Sequence, residues 1–332
     1  MMEGLLQVKN LEVQFKTGKK RLKAVRDISF SVKRGETLCI VGESGSGKSI
    51  TSLSILGLLP TNGEITKGSI RLSKQELVGL PEKEFQKIRG NEISMIFQEP
   101  MTALNPTFTI GFQLREPLMI HRKLSEETAN KECISLLKRV GIPDPAKKLK
   151  QFPHELSGGM LQRVMIAIAL ACEPNLLLAD EPTTALDVTI QAQILDLIDD
   201  LKKQMGMGVV FVTHDMGVVA EIADQVMVIY AGEIAEIGDV DSIFNNPQHP
   251  YTKGLLGAVP NVDEKEHELN IIPGSMPNLD DQISGCRFHP RCPYAMDVCR
   301  KKSPPAFRVS DGRQSKCWLQ EVNVNESATT IT

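Results

Sequence analysis

Apolar and polar positions alternate from Leu6 to Phe15 and again from Ile28 to Val32, with "KTGKKR" between them. A period of two marks half-buried strands, and the polar segment reads as a turn. The pattern then changes. "TLCIVGE" is a short continuous apolar run, which predicts a strand covered on both faces, and residues 42–49 form a glycine-rich loop. "SITSLSILGLL" predicts a helix that stops at Pro60.

Short apolar runs recur at "ISMIF", "LLLAD" and "GVVFVTH", separated by helical segments. Such an order predicts a mainly parallel sheet with helices on its faces. A helix over Val188 to Met205 places Ile190, Ile194, Leu197 and Leu201 on one face. Between Gln98 and Ser157 the texture is helical, with Pro100, Pro106, Pro117, Pro143 and Pro153 expected to mark breaks, so this stretch reads as a helical insertion. "VMVIYAGEIAEIG" reads as a hairpin turning at Ala231-Gly232. After about Asp241 the composition shifts to Asn, Pro, Gly and four of the cysteines without a long period, a separate C-terminal extension. The final "NVNESATTIT" is expected to be disordered.

Composition narrows the class. The 332 residues are 41% hydrophobic and 24% charged, which suits a globular chain with a substantial core. Lys plus Arg number 38 and Asp plus Glu 41; a net charge of -3 gives no overall attraction to nucleic acid or anionic lipid. The N-terminus has an early acid and no long apolar stretch, unlike a secretory signal. The longest apolar run, Val164 to Cys172, falls far short of the roughly 20 residues of a spanning helix, so any membrane role is expected to come through a partner. Seven cysteines, an odd count, argue against a disulfide framework, and Cys39, Cys133 and Cys172 lie in apolar or helical runs as small core residues.

Three local motifs carry chemistry. Gly42-Glu43-Ser44-Gly45-Ser46-Gly47-Lys48-Ser49 fits the phosphate loop G-x-x-x-x-G-K-[ST], after a strand and before a helix as that motif requires. Its backbone N–H groups wrap phosphates, Lys48 neutralises their charge and Ser49 can coordinate Mg2+. "NLLLADEP" ends a strand in Asp180-Glu181, giving a carboxylate for Mg2+ and a general base for the attacking water. Ser157, Gly158 and Gly159 in "PHELSGGM" open a second helix with N–H groups that favour an anion. Cys286, Cys292, Cys299 and Cys317 cluster with gaps of five, six and seventeen residues, a spacing that by itself selects neither zinc nor an iron–sulfur centre.

"LSGGM" before "LQR", about twenty residues ahead of "LLLADEPTTALD", resembles the ATP-binding cassette (ABC) family, whose loop reads L-S-G-G-Q. Met160 departs from that pattern and bears only on its own side chain's contact. The resemblance implies an α/β P-loop NTPase, a RecA-like ABC cassette with an N-terminal antiparallel β part, a helical insertion and a small cysteine-containing C-terminal extension. It implies a catalytic core over 1–98 and 172–240, a helical part over 99–171, the extension over 241–318 and a tail over 319–332. Gln98 resembles the glutamine that senses Mg2+ and the lytic water, Ala185-Leu186-Asp187 the loop that crosses a dimer interface, and His214 the histidine that contacts the terminal phosphate. Phe15 resembles the aromatic that stacks on adenine, a strand-core phenylalanine being the competing reading. In the family two subunits pack head to tail, so Lys48 of one and Ser157 of the other grip one ATP. This would explain two phosphate-facing helix starts in one chain.

"QHPYTKGLL", "GCRFHPRCPYAMDVC" and a later "CW" are similar to the ATP-binding subunits of bacterial dipeptide and oligopeptide importers, and the similarity runs from Leu5 to Trp318. It implies ATP and Mg2+ as cofactors and a [4Fe-4S] cluster on Cys286, Cys292, Cys299 and Cys317, with Zn2+ the alternative. The implied partners are a second ATPase subunit, identical or related, two transmembrane permease subunits and, indirectly, an extracellular peptide-binding protein, with no nucleic acid. The implied place is the cytoplasmic face of the inner membrane. The same motor could serve nickel, glutathione or another small solute. A soluble cassette ATPase acting on DNA or ribosomes is the rival from another class, opposed by the lack of a second cassette or a long coiled coil. A cassette that binds ATP without turnover is opposed by Lys48, Glu181 and His214 all being present.

Overall fold

A computed structural model describes residues 4–184, 187–258 and 272–321. The chain divides into two compact units.

The first unit comprises Met1–Leu6, Ser31–Glu36 and Arg71–Phe211. Its strands Ile93–Ile96 and Leu176–Asp180 run parallel, with Ile93 opposite Leu176 and Ile96 opposite Ala179. Every residue of Leu176–Asp180 is buried, which is why this segment reads as an unbroken apolar run. The stretch expected to be helical contains the helices Ile110–His121, Glu126–Arg139 and Gly158–Leu170, packed through Ile110, Leu114, Leu118, Cys133, Leu137 and Val164, all 0% exposed. Pro100 and Pro153 open short helical turns, as helix-start prolines do. Pro117 does not break the chain; it lies inside Ile110–His121. Proline in a helix interior costs about 3 kcal/mol. Burial of Leu114 and Leu118 on either side offsets that loss, and the Pro117 carbonyl accepts the Cys172 thiol at 3.5 Å.

The helix Val188–Met205 has the expected bounds, stopped by Gly206 at φ 62°. Its buried stripe is Ile194, Leu195, Ile198 and Leu201, whereas Ile190 and Leu197 are only half-buried. The packed face is therefore rotated from the one the apolar spacing suggested.

The second unit comprises Gln7–Phe30, Thr37–Ile70 and Val212–Thr332. The strands Leu6–Thr17 and Lys20–Val32 form a hairpin turning at Gly18, φ 60°, and Gly63–Leu72 lies on the other side of the first. The alternation slips at Asn10 (φ 49°) and Asp27 (φ 55°), two left-handed positions joined by an Asn10 Nδ2–Asp27 Oδ1 hydrogen bond of 2.8 Å. Thr37–Val41, wholly buried, runs parallel to Gln225–Tyr230, with Leu38 opposite Gln225 and Val41 opposite Val228. Gln225–Tyr230 pairs antiparallel with Glu233–Asp239 across the expected turn, where Ala231 and Gly232 have φ of 48° and 84°. Glu233–Asp239 in turn pairs with Arg313–Ser315, itself bordered by Phe307–Ser310, so the C-terminal region supplies the strands that extend this sheet. The helix Lys48–Ile55 ends before Pro60, because Gly57 at φ 61° already takes the left-handed conformation that closes a helix. Among the described residues no helix is long and apolar enough to cross a membrane.

Candidate functional site

In the second unit the loop 42–49 leaves the buried end of Thr37–Val41 and enters Lys48–Ile55. Gly42 has φ 153°, and a Cβ there would lie 2.2 Å from the Ile229 carbonyl oxygen, so no other residue fits. Gly47, at φ 109°, caps the helix, and a Cβ there would lie 3.0 Å from the Ala24 carbonyl oxygen. Ser44, Gly45 and Ser49 are exposed along the loop. Lys48 is 6% exposed and its Nζ donates to the carbonyls of Gly42 (2.8 Å) and Glu43 (3.2 Å). Ser46 is 0% exposed and its hydroxyl has no hydrogen-bond partner. A buried cation beside an unsatisfied hydroxyl, at a helix N-terminus, is chemically suited to an anion with several acceptor oxygens. The loop therefore fits phosphate.

The same unit holds Phe15 and His214. The half-buried Phe15 ring covers Gly63, where a Cβ would come within 2.8 Å of Phe15 Cε1. His214 is exposed just after the strand Gly208–Thr213, and the next residue, Asp215, caps the helix Met216–Ile222 by accepting from the N–H groups of Gly217 (2.8 Å) and Val218 (3.4 Å).

In the first unit Asp180 is 8% exposed at the end of its strand, and Glu181 follows at φ 46°. A left-handed glutamate costs of order 1–3 kcal/mol and persists only where its surroundings hold it. Here they do. Gln98 Nε2 donates to Glu181 Oε2 at 2.9 Å, and Thr184 Oγ1 donates to the same oxygen at 3.1 Å. The buried Gln162 donates from Nε2 to the Pro182 carbonyl at 2.5 Å, fixing the turn that follows. The structure thus brings together Gln98 and Glu181, and adds Thr184 and Gln162, which sequence reasoning missed because neither stands in a phosphate motif.

Ser157 caps Gly158–Leu170, its hydroxyl accepting from the Met160 N–H at 3.4 Å. Gly158 is exposed with nothing within 4 Å of a Cβ, while Gly159 packs on Ile190. Asp187 caps Val188–Met205 by accepting from the Ile190 N–H at 2.9 Å. Ala185 and Leu186 lie outside the described residues.

The iron–sulfur expectation is corrected by the structure. Cys286, Cys292, Cys299 and Cys317 do line one cavity, with Phe288 and Trp318, but its volume is about 10 Å3. That is room for about one water molecule, not for a cluster of iron and sulfide. Burial pushes the Cys286 thiol up to about 12 and Cys317 to about 11, and raises Cys292. Among the described residues no group of three or more His, Cys, Asp or Glu side chains could hold a metal ion. Cys299 and Cys317 are buried and Cys286 and Cys292 half-buried, whereas Cys39 and Cys133 are core residues at 0% exposure.

Residues 25–184 match the family model "ABC transporter", and residues 235–299 match "Oligopeptide/dipeptide transporter, C-terminal region". The chain is 54% identical to the dipeptide transport ATP-binding protein DppD of Bacillus subtilis over 96% of each chain. It is 53% identical to the oligopeptide transport ATP-binding protein OppD of the same organism, over 95% of this chain and 88% of that one. Among solved structures it resembles the dimeric, post-hydrolysis ATP-binding cassette MJ0796 bound to ADP and phosphate, with TM-score 0.64 and 31% identity over 71% of this chain and 98% of that one.

Proposed function

The chain belongs to the ABC transporter ATP-binding proteins, in the branch with the oligopeptide/dipeptide transporter C-terminal region, and from that premise we propose that it energises the import of dipeptides or oligopeptides by hydrolysing ATP. The observation that carries this reading is similarity over 96% of both chains, which takes in the motor and the C-terminal region together.

The roles assigned to residues follow from their chemistry. Backbone amides of the loop 44–49 receive the phosphates, and Lys48 Nζ exchanges two loop carbonyls for phosphate oxygens. Phe15 offers a ring face to adenine, and His214 a ring nitrogen to the terminal phosphate. The Ser49 hydroxyl in the second unit, and the Asp180 carboxylate and Gln98 amide oxygen in the first, are each hard donors of the kind that would hold Mg2+, and the ion would supply neutralisation of phosphate charge. Gln98 and Thr184 pin one oxygen of Glu181 and so fix the orientation of its carboxylate. As the attacking water's oxygen bonds to the γ-phosphorus and ADP leaves, its proton passes to Glu181. The N–H groups at Ser157, Gly158 and Gly159 and the Asp187 loop complete the site of a second, head-to-tail protomer. Catalytic core 1–98 and 172–240, helical part 99–171 and C-terminal region 241–318 are the divisions of labour this implies.

The motor works at the cytoplasmic face of the membrane with two permease subunits, fed by an external peptide-binding protein. Exposed Met101, Phe108 and Phe112, with the Phe108 and Phe112 rings stacked at 4.5 Å, give the helical part an apolar surface suited to a short helix of each permease. The test is reconstitution with those subunits in proteoliposomes. ATP-dependent uptake of a labelled dipeptide is expected; uptake of nickel or glutathione without dipeptide would reassign the cargo, and no ATP-dependent uptake would overturn the reading.

A further inference from the structure

Glu43 is the second residue of the phosphate loop, and each of its polar groups is engaged. Its N–H donates to Tyr251 Oη at 2.9 Å. Its carbonyl accepts from Lys48 Nζ and from the Ser46 N–H, both at 3.2 Å. Its carboxylate receives Arg291 Nη1 at 2.9 and 3.1 Å. Tyr251 and Arg291 lie 208 and 248 residues further along, both in the C-terminal region, so nothing local in the chain requires these contacts.

Arg291 is aimed rather than merely present. Its side chain is 7% exposed. Nε donates to the Pro273 carbonyl at 2.8 Å, and Nη2 to those of Ile272 (3.5 Å) and Gly274 (3.3 Å). The guanidinium also lies 5.8 Å from the centre of the Tyr230 ring. A planar fork fixed by three carbonyls presents its remaining donors in one direction, here to one carboxylate. Tyr251, 0% exposed, is wedged between Tyr230 and Phe288 at ring separations of 4.7 and 5.3 Å, so its oxygen is equally fixed.

Exposed ion pairs contribute little, but this pair joins a nearly buried cation to a carboxylate in a loop whose ligand is a polyanion. Deprived of Arg291, Glu43 would turn an uncompensated negative charge on the phosphates. Deprived of the Tyr251 oxygen, the loop would lose the fixed point at its first bend.

We propose that Arg291 and Tyr251 are positioning residues for ATP binding, acting through Glu43 to hold the phosphate loop in shape and to cancel its charge. The proposal rests on the reading of residues 42–49 as the phosphate site. Neither side chain touches the nucleotide. The C-terminal region thereby sets the affinity of the motor for ATP.

The test measures binding of a fluorescent ATP analogue with Mg2+ to the full chain. Arg291→Gln is expected to raise Kd about fivefold or more, with kcat at saturating ATP changed by less than about twofold. Adding Glu43→Gln to that variant removes the unpaired charge and is expected to return Kd to within about twofold of the wild type. A purely structural role for Arg291 would not give this rescue, so an unrescued double variant, or an unchanged Kd in Arg291→Gln, overturns the proposal. Should Arg291→Gln fail to fold, Tyr251→Phe keeps the ring and removes only the oxygen; weaker ATP binding supports the proposal and unchanged binding overturns it. Lys48→Ala separates the two levels. If it abolishes binding while Arg291→Gln does not weaken it, only the positioning role fails; if Lys48→Ala binds ATP normally, the phosphate-loop reading fails and the proposal with it.

Discussion

His249 shows how one side chain ties stability to pH. It is 3% exposed, and its Nδ1 accepts the Tyr251 N–H at 3.0 Å, which leaves the proton on the other ring nitrogen, facing the Lys316 carbonyl. Burial pushes its pKa from 6.5 down to about 4. Between those values the unfolded chain takes up a proton that the folded chain refuses, so stability present above pH 6.5 is lost as the pH falls toward 4. The full loss is about 3 kcal/mol. Glu12 acts in the same direction lower down: burial alone would raise its pKa, but hydrogen bonds from Lys23, Thr66 and Gln14 and the Lys23 charge outweigh burial and hold it at about 2. Urea unfolding at pH 7 and pH 5 is expected to show a clear drop in midpoint. His249→Asn, which can still accept the Tyr251 N–H, is expected to flatten that dependence; an undiminished drop in this variant would assign the effect elsewhere.

At the scale of elements, the strand Glu233–Asp239 is held on its outer side by a buried ion pair. Arg313 Nη2 reaches Glu236 Oε1 at 2.7 Å, with side-chain exposures of 5% and 0%. The Glu236 carboxylate also accepts the N–H groups of Gln248 (3.0 Å) and His249 (2.8 Å), so removing Arg313 leaves a buried charge only partly satisfied. Arg313→Met is expected to cost about 3–5 kcal/mol in urea unfolding and to speed amide exchange along Arg313–Ser315. A loss under about 1 kcal/mol would mean that the edge is held by its backbone pairing alone. The hairpin before this edge was legible, because Ala231-Gly232 between two apolar runs is a turn of known chemistry. The edge itself was not, since strands of three and four residues are too short to display a period. Helix ends misled in the same way: Gly57 stops one helix ahead of Pro60, and Pro117 is carried inside another by packing that no local pattern reveals.

For the whole molecule, what could be read from the chain depended on distance along it. The phosphate loop is contiguous, so its chemistry is written in eight residues. Gln98 and Glu181 meet across 83 residues and were paired only through resemblance to a family. Arg291 and Glu43, separated by 248, left no sequence signal. The cysteine quartet taught the converse lesson: its clustering was visible, but the volume enclosed is a property of packing. The account of the molecule as an ATP-driven motor turns on Glu181. Its most direct test is phosphate release by Glu181→Gln, assembled with the permease subunits at saturating ATP, alongside binding of the ATP analogue. Turnover is expected to fall at least about a hundredfold while ATP remains bound; turnover at the wild-type rate would contradict the assignment of the base and the mechanism built on it.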